Sequence, residues 1–483
     1  MQRRRRLALL GAGALLAAGC ATNPVTGRQE ISLVSSAQED QIGRDAYPAV
    51  LAEYGAYDEN GIQAYVDSVG QKLARVSHLP GLTWHFTVLD DPAVNAFAMP
   101  GGYIYITRGI LAYLNSEAQL AGVLGHEIGH VTHRHTAEQI TKQQLYGLGF
   151  GVASILSDQV RKLGDVAQQG LGLLFLKYSR DNENQADELG VEYATRAGYD
   201  PREIPSTYAV LKRISDVSGQ SIPSFLSTHP DPGDREAHTT ALANAAAAGK
   251  SGLLIRSRAF VQRLEGVVYG NDPRQGYFEG ERFFHPSLGF QMSFPAGWTY
   301  QNSRSSVVAA SSDRSAALQL TLASAGALSP SAYVDQLLRT GKISAQTGAR
   351  ENIGGFEAWV GRVSVAQQGA TPVTLVAVWI RRSPDQMFQI LGQVGANGSA
   401  DERTMLASAR SYSSLTDRTR LSPVPERLRV VAVSRSGPLP SVLASLGAQA
   451  ITPAETSVLN NLQPDETVQS GQLLKIVVPG RTR

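Results

Sequence analysis

Residues 125–135, GHEIGHVTHRH, hold four of the nine histidines in this 483-residue chain. In the segment before them, Ser116 stands three positions ahead of Gln119, a capping-box pattern that marks the start of a helix. Apolar residues then recur at helical spacing: Leu120, Val123, Leu124 and Ile128. The sequence therefore predicts a helix that begins near Ser116, buries one apolar stripe and continues through the histidines.

HEIGH at 126–130 is the H-E-x-x-H pattern of helical zinc sites. Positions four apart on a helix lie one above the other, so His126 and His130 can reach one ion, and imidazole nitrogens suit zinc. Glu127 projects differently and can reach water bound to that ion without ligating it. Because zinc lowers the pKa of such water to about 7, Glu127 can accept its proton as the water attacks a carbonyl.

A catalytic zinc takes a third protein ligand, and two patterns compete to supply it. The metzincin pattern, H-E-x-x-H-x-x-G-x-x-H, requires glycine and histidine where this chain has His133 and Thr136. The other pattern takes a glutamate from a later helix, with an acidic residue one turn on that hydrogen-bonds the first histidine. Because the metzincin pattern fails, we expect His133 and His135 to flank the site, either solvated or in contact with a ligand.

An acidic helix is predicted over residues 178–198, YSRDNENQADELGVEYATRAG. Glu183 and Asp187 lie four apart and therefore on one face of this helix. Glu188 and Glu192 repeat the spacing but place glutamate where the pattern has aspartate. We therefore predict Glu183 as the third zinc ligand and Asp187 as the hydrogen-bond partner of the first histidine.

The chain begins MQRRRRLALLGAGALLAAGC, with four arginines ahead of an apolar run from Leu7 to Ala18. That run is too short to span a bilayer permanently, so a secretory signal peptide over residues 1–19 is predicted rather than a membrane anchor helix. LLAAGC resembles a bacterial lipobox, although Ala17 stands where leucine is more usual. Acylation of Cys20 would anchor the protein to a membrane. Ala21, in place of aspartate, resembles the sorting signal for the outer membrane of a Gram-negative bacterium, with the protein facing the periplasm.

The composition limits the possible chemistry and partners. Cys20 is the only cysteine, so disulfides and thiolate catalysis are excluded and any metal site must use nitrogen and oxygen ligands. Removing the signal peptide takes four of the 44 basic residues and leaves 40 against 42 acidic ones. This near-neutral balance gives no electrostatic reason to expect a nucleic-acid partner.

Three folded units are predicted after the signal peptide. Residues 20–283 combine the helices above with a small set of strands, which indicates an α+β, mainly helical domain. Residues 284–415 read as strands with a helix near 330–340, and they predict an α/β accessory domain without a catalytic constellation. A basic, proline-marked linker, RTRLSPVPERLR, leads to a small unit over 424–480.

Two apolar, glycine-rich segments lie between the histidine helix and the acidic helix: LYGLGFGVASIL at 145–156 and GLGLLFL at 170–176. Neither is long enough to cross a membrane. They are predicted either as buried core helix or as a mobile apolar lid over the site.

Three motifs resemble those of one family: HEIGHVTHRH (126–135), YSRDNENQAD (178–187) and STHPDPGDR (227–235). They are similar to motifs of the gluzincin metallopeptidases related to the CAAX prenyl protease and the HtpX-type proteases. The opening CATNPVTGRQEISLVS (20–35) resembles the soluble periplasmic branch that includes the β-barrel assembly-enhancing protease. The resemblance covers about residues 20–283 and implies a zincin peptidase domain.

The resemblance implies one zinc ion per chain, held by His126, His130 and Glu183, with Glu127 as general base and Asp187 supporting a ligand. It also implies a catalytic role for His229, which would complete the zinc shell at rest or steady the oxyanion. Arg235 matches the family's basic residue after that histidine and would bind substrate or orient the site. From the residues alone, a histidine before proline is more typical of a turn.

NAFAMPGGYIYITRG at 95–109 matches the family's strand beside the cleft, where a peptide substrate could add as a further strand. The substrate-binding residues predicted from this likeness are Asn95, Ala96, Phe97, Ala98 and Met99. From the residues alone, the same segment is compatible with an ordinary sheet edge.

The last unit resembles a LysM module over Leu462–Ile476, where SGQLLKI carries most of the likeness. RSGPLPSVL departs from the usual GDTL opening of such modules. Peptidoglycan, envelope proteins and packing against its own chain therefore stand as alternatives for what this C-terminal module contacts. Unlike the β-barrel assembly-enhancing protease, the chain shows no tetratricopeptide repeats after the catalytic region.

The sequence thus predicts a zinc-dependent endopeptidase of the periplasm that hydrolyses misfolded or misassembled envelope proteins. An envelope chaperone or assembly factor, with its zinc site closed by His229 and the apolar lid, is the alternative. No glutamate motif for capturing a free amine is evident, which disfavours an aminopeptidase.

Overall fold

The computed structural model describes residues 20–59, 61–146, 177–218, 225, 229, 232–367, 370–395 and 397–482. Thirteen α-helices and twenty strands form in these residues, and the mixed α+β class predicted from the sequence is confirmed. The predicted signal peptide lies outside the described residues, as does most of the predicted core helix or lid, over 147–176. Among the described helices, none combines the length and apolarity that crossing a membrane requires.

The described part of the N-terminal region contains five strands, three of which form one small sheet and two of which form a separate pair. Its strands are β1 (Cys20–Thr22), β2 (Gln29–Ile31), β3 (His85–Leu89), β4 (Ala96–Met99) and β5 (Tyr103–Thr107). Its helices are α1 (Ser36–Tyr54), α2 (Ile62–Ala74), α3 (Arg108–Tyr113), α4 (Glu117–Thr132), α5 (His135–Tyr146), α6 (Arg180–Arg196), α7 (Ile204–Ser218), α8 (Pro232–Ala247) and α9 (Ser257–Arg263). Strand β5 pairs in parallel with β3 and antiparallel with β4, so β4 is an edge strand.

Helix α4 carries the H-E-x-x-H pattern through the centre of this region. Ser116 caps its N-terminus by accepting a hydrogen bond from the Gln119 amide, as the capping pattern predicts. Every residue of α4 except Val131 is buried, since α2, α6 and the sheet pack around it. The polar residues of the pattern are therefore buried as well and need partners inside the protein.

The next region is rich in strands. They are β6 (Tyr277–Glu279), β7 (Arg282–His285), β8 (Phe290–Ser293), β9 (Thr299–Asn302), β10 (Ser306–Ala310), β11 (Ala317–Ala323), β12 (Ala345–Ile353), β13 (Phe356–Gln367), β14 (Ala370–Ser383), β15 (Gln386–Gln393) and β16 (Ser413–Ser414). Seven form an antiparallel sheet of order β12-β13-β14-β15-β11-β10-β9, and four form a second sheet, β16-β8-β7-β6. Helix α10 (Pro330–Arg339) packs on one face of the larger sheet, while α11 (Ser399–Arg410) and the smaller sheet cover the other.

The C-terminal module packs into the core that surrounds α4. Its elements are β17 (Arg427–Ala432), β18 (Gly437–Pro438), α12 (Leu439–Ser445), α13 (Pro453–Leu459), β19 (Thr467–Val468) and β20 (Leu473–Val478). Leu428, Val458, Leu459 and Val477 belong to the same hydrophobic cluster as residues of β3, α2 and α4. Lys475 is fully buried and donates to the carbonyl oxygens of Ala112 at 2.6 Å and Leu114 at 2.7 Å, just before α4.

Candidate active site

Two helices, α4 and α6, bring the three predicted ligands together. His126 and His130 lie one turn apart on α4, with their Nε2 atoms 3.0 Å from each other. Each Nε2 atom lies 3.6 Å from an oxygen of Glu183 on α6. All three side chains are buried. The structure therefore places the predicted ligands around one point, with both histidines presenting the same ring nitrogen.

Helices α4 and α6 come this close because both present small residues where they cross. A Cβ at Gly125 would lie 3.1 Å from the carbonyl oxygen of Gly190. A Cβ at Gly129 would lie 3.1 Å from the backbone of Ala186. There is no room for larger side chains at this density, so the two backbones pack directly on each other. Gly125 and Gly129 thus determine how closely α6, which carries Glu183, approaches α4.

Asp187 lies one turn after Glu183 and contacts the first ligand histidine. Its Oδ1 atom is 2.9 Å from Nδ1 of His126 and accepts a hydrogen bond from the Tyr208 hydroxyl at 2.7 Å. A neutral His126 that donates from Nδ1 presents a bare Nε2 to a metal. Burial opposes ionisation of Asp187, but Arg235 and His126 outweigh it and hold the pKa of this carboxyl well below its usual range.

Arg235, on α8, is buried and pairs with two carboxylates of α6. Its Nη1 lies 2.6 Å from Glu183, and its Nη2 and Nε lie 2.6 and 2.8 Å from Asp187. The guanidinium also lies 4.6 Å from the ring centre of Tyr208, which donates to the same aspartate. These contacts favour the second of its two expected roles, orientation of the site.

His229 reaches the same point from the segment before α8. Its Nδ1 lies 3.0 Å from Glu183 Oε1 and 3.3 Å from His126 Nε2, which is the position expected of a fourth ligand at rest. Phe225 stacks on its ring, with 4.4 Å between the ring centres. Burial alone would lower the pKa of His229, but the carboxylates of Glu183 and Glu127 outweigh it and raise that pKa.

Glu127 is completely buried and stands beside this group. Among the described residues, neither of its carboxylate oxygens has a hydrogen-bond partner. Nε2 of His229, which also lacks a partner in this part of the chain, lies 3.7 Å from Glu127 Oε1. Burial raises the pKa of Glu127. A carboxylate with a raised pKa is the better proton acceptor, which is the property that a general base needs.

The donor atoms fit a zinc ion. One atom each from His126, His130, Glu183 and His229 lies within 4.8 Å of the others, and all four residues are buried. Nitrogen and carboxylate oxygen are ligands that zinc takes, usually four in number. Burial opposes ionisation of Glu183, but His229 and Arg235 outweigh it and lower its pKa, so an anionic ligand is available.

Strand β4 pairs with β5 on one side and, among the described residues, has no strand partner in the sheet on the other. Thr107 N donates to the carbonyl oxygen of Asn95 at 3.0 Å, so these two residues form a hydrogen-bonded pair. Such pairs alternate along an antiparallel ladder, so Phe97 bonds to β5 while the backbone groups of Ala96 and Ala98 point to the free edge. This geometry suits the addition of a further strand.

The five predicted substrate-binding residues differ in what they offer. The four residues of β4 are buried, Ala96 completely and Ala98 with 7% of its surface exposed, so a peptide would meet Ala98 more readily than Ala96. The amide oxygen of Asn95 is buried without a hydrogen-bond partner among the described residues. Phe225 N already donates to the carbonyl oxygen of Val94 at 3.1 Å, on the same edge and two residues before β4. This edge therefore accepts one backbone hydrogen bond from its own chain, which is the pattern that strand addition would extend.

Two tyrosines at the site were not predicted from the sequence. Tyr178 stacks on His130 with 3.9 Å between ring centres, and its hydroxyl lies 3.0 Å from that of Thr136. Tyr208 donates to Asp187. Tyr178 is the first residue of the motif YSRDNENQAD, so its place beside Glu183 in the sequence could have indicated that it lies near the site. No sequence pattern links Tyr208 to the site, because it comes from a separate helix.

Comparisons with known proteins agree with this geometry. Residues 61–243 match the family model described as peptidase family M48. The chain is 35% identical over 187 residues to the mitochondrial metalloendopeptidase OMA1 of Arabidopsis thaliana, over 39% of this chain and 37% of that protein. It is 32% identical over 212 residues to OMA1 of Schizosaccharomyces pombe, over 43% and 61%. It is 28% identical over 235 residues to the β-barrel assembly-enhancing protease of Escherichia coli, over 46% and 47%.

The matches cover a part of each protein, between 37% and 61% of the length of these relatives. The segment that fits the family model contains every predicted ligand and catalytic residue, from His126 to Arg235. The family resemblance inferred from three motifs is therefore confirmed. Residues 61–243 therefore resemble peptidase family M48 in both sequence motifs and site residues.

Proposed function

We propose that this protein is a zinc metalloendopeptidase. The observation that carries the proposal is the buried group of His126, His130 and Glu183 beside Glu127, whose carboxylate has no hydrogen-bond partner among the described residues. Relatives named as metalloendopeptidases match 39% and 43% of the chain and support it.

Zinc bound by His126, His130 and Glu183 would supply a Lewis acid that polarises a peptide carbonyl and acidifies water. Glu127 accepts one proton of the attacking water as its oxygen adds to the carbonyl carbon, and returns that proton to the leaving nitrogen as the C–N bond breaks. Its burial and raised pKa suit both transfers. Arg235 keeps Glu183 ionised throughout.

His229 would serve the reaction through Nε2, the ring nitrogen that has no partner in the described part of the chain. A donor at this position can hydrogen-bond the oxyanion that forms on the carbonyl oxygen. The present contacts of His229 Nδ1 with Glu183 and His126 describe a resting arrangement, in which His229 stands where a fourth ligand would.

The proposed substrates are unfolded or misassembled proteins. An extended peptide that pairs with the backbone of Ala96 and Ala98 must have its own backbone groups free, as unfolded segments do along their whole length. The name of the Escherichia coli relative, β-barrel assembly-enhancing protease, supports the narrower proposal of misassembled envelope proteins as substrates.

We propose further that Cys20 is acylated and anchors the protein in the envelope, at the periplasmic face of the outer membrane. Asn23, three residues on, is buried and donates to the carbonyl oxygen of His133, directly after α4. Three residues span at most about 10 Å, so such an anchor would hold the catalytic helix close to the membrane. Mass spectrometry of the mature N-terminus tests this, and an unmodified Cys20 would contradict it.

The alternative function, a chaperone or assembly factor with a closed zinc site, is favoured by one observation. His229 contacts Glu183 and His126 in the resting arrangement, and all three residues are buried. Under either function we propose peptidoglycan or envelope proteins as the partner of the C-terminal module.

The Glu127→Gln variant of the full mature chain separates the two functions. We expect it to retain one zinc ion and to lose at least about a hundredfold in casein hydrolysis, since general-base catalysis is worth that much. Glu188→Gln, an exposed change on α6, is the matched control and should cleave casein at the wild-type rate. Full proteolysis by Glu127→Gln would overturn the mechanism. Complementation of a gene deletion by Glu127→Gln as well as by wild type would favour the chaperone.

A further inference from the structure

A buried chain of hydrogen bonds leads from His130 away from the ligand group. Nδ1 of His130 lies 2.9 Å from Nδ1 of His135, and Nε2 of His135 lies 3.0 Å from the amide oxygen of Gln185 on α6. Both histidines are buried. The other nitrogen of the His130 ring, Nε2, faces His126 and Glu183. The hydrogen bonds therefore end on Nδ1 of His130, in the ring whose other nitrogen would bind a metal.

The chemistry of these groups fixes where each proton lies. An amide oxygen can only accept, so Nε2 of His135 carries the hydrogen and donates it to Gln185. A neutral imidazole has one ring hydrogen, which leaves Nδ1 of His135 bare and able to accept. Nδ1 of His130 must then carry the hydrogen between the two rings. Nε2 of His130 is left as a bare lone pair, the form that binds zinc.

We propose that His135 and Gln185 are positioning residues, which hold His130 in the tautomer that binds zinc. The inference rests on the proposed function, because it concerns a ligand of the same metal. His126 is held by a carboxylate, Asp187, whereas His130 is held by two neutral side chains. Neutral replacements can therefore test the tautomer of His130 without removing a charge from the site.

The backbone turn after α4 makes this contact possible. In an uninterrupted helix, residues five apart point about 140° away from each other and do not meet. Here the backbone takes a φ of 62° at Arg134, and a new helix begins at His135, whose ring folds back onto His130. Arg134 is fixed in this conformation, since it donates to Glu39 at 2.9 Å and to the carbonyl oxygen of Val34 at 2.8 Å.

Three variants of the full mature chain test the proposal through the order of their zinc affinities. His135→Phe removes the acceptor and should weaken zinc binding about 10- to 100-fold, as loss of a ligand's hydrogen-bond partner does. Gln185→Ala lets His135 take either tautomer and should weaken zinc binding less than His135→Phe does. Gln185→Lys replaces the acceptor by a donor, which forces the hydrogen of His135 to Nδ1, so zinc should bind more weakly than in Gln185→Ala. Competition with a chromogenic zinc chelator measures each dissociation constant.

A second readout separates the tautomer from the added charge of lysine and from any change in folding. In zinc-free, ¹⁵N-histidine-labelled protein, imidazole NMR should show His130 protonated at Nδ1 in wild type and at Nε2 in Gln185→Lys. His133→Phe is the matched control: His133 stacks beside His135, contacts Asn23 and makes no contact with a ligand, so zinc binding should not change. Zinc affinities within about twofold of wild type in all variants, or an unchanged His130 tautomer, would overturn the proposal. Absence of zinc binding by wild type would instead overturn the proposed function.

Discussion

Arg235 balances the negative charge of the site. It pairs with Glu183 and Asp187 inside the protein, where an uncompensated charge costs several kcal/mol. We expect Arg235→Met to lower the free energy of unfolding of the zinc-free protein by about 3–5 kcal/mol, since two buried carboxylates lose their partner. Urea denaturation of protein treated with EDTA measures the difference.

The chain provides a matched control for Arg235 on the surface of α6. Arg196 pairs with Glu192 at 3.0 Å, but both side chains are exposed. Arg196→Met should therefore cost less than about 1 kcal/mol, the usual worth of an exposed pair. If the two variants were equally stable, the cluster around Arg235 would be open to water and the account of its charge balance would be wrong.

At the scale of residues, spacing was enough to predict the centre of the site. Positions four apart place His126 above His130 and Glu183 above Asp187, and the structure brings these four residues together. The contact of His135 with His130 was not predictable, because it depends on one backbone angle at Arg134.

The crossing of α4 and α6 is the element-scale feature on which the site depends. Gly129→Ala would place a Cβ 3.1 Å from the backbone of Ala186, so α6 must move by a few tenths of an ångström. We expect a net loss of about 1–2 kcal/mol, since overpacking costs 1–3 kcal/mol and the better helix propensity of alanine returns up to 1. Weaker zinc binding should accompany it, because α6 carries Glu183.

Thermal unfolding and chelator competition together check the Gly129→Ala prediction. Gly81→Ala is the control, since no atom lies within 4 Å of the Cβ that it adds. Wild-type zinc affinity in Gly129→Ala would show that the distance between the two helices does not govern the site.

The free edge of β4 gives a second test at this scale. Ala98→Pro removes one outward N–H and leaves the bonds from β4 to β5 in place, because Ala98 faces away from β5. We expect kcat/KM for casein to fall about 3- to 10-fold, the worth of one hydrogen bond, with little change in stability. Phe97→Pro is the contrast: its amide faces β5, so it should destabilise the fold. An unchanged kcat/KM in Ala98→Pro would argue against strand addition.

Local sequence signals predicted the two helices that carry the ligands. Ser116 and Ser179 accept capping hydrogen bonds at the starts of α4 and α6, and Pro100 to Gly102 separates β4 from β5. Helix α4 ends at Thr132, so the prediction of one helix through all four histidines was wrong. Nothing in the local pattern opposes a longer helix there, because the turn is fixed by distant contacts of Arg134.

At the scale of the whole molecule, the C-terminal module completes the core around α4. The sequence predicted a separate small unit, and no local pattern could show that residues 361 positions apart would meet, as Lys475 and Leu114 do. Arg427 adds a contact with Glu59 at 2.5 Å, and Arg213 donates to the carbonyl oxygen of Leu462 at 2.5 Å. The structure therefore shows that the C-terminal module packs against its own chain.

We expect Lys475 to make the stability of the folded chain depend on pH. Burial lowers its pKa well below the usual value, whereas the unfolded chain restores a pKa of about 10.4. Between these two pKa values the unfolded state binds a proton that the folded state does not. The free energy of unfolding therefore rises with pH in this window, by up to about 1.4 kcal/mol per pH unit.

Lys475→Met has no such group, so wild type should gain stability relative to this variant between pH 8 and 10, as urea denaturation would measure. Lys250→Met, at an exposed lysine after α8, should instead follow wild type across that range. Parallel profiles for wild type and Lys475→Met would mean that Lys475 keeps its charge within the fold, and that the module is docked through a hydrated interface.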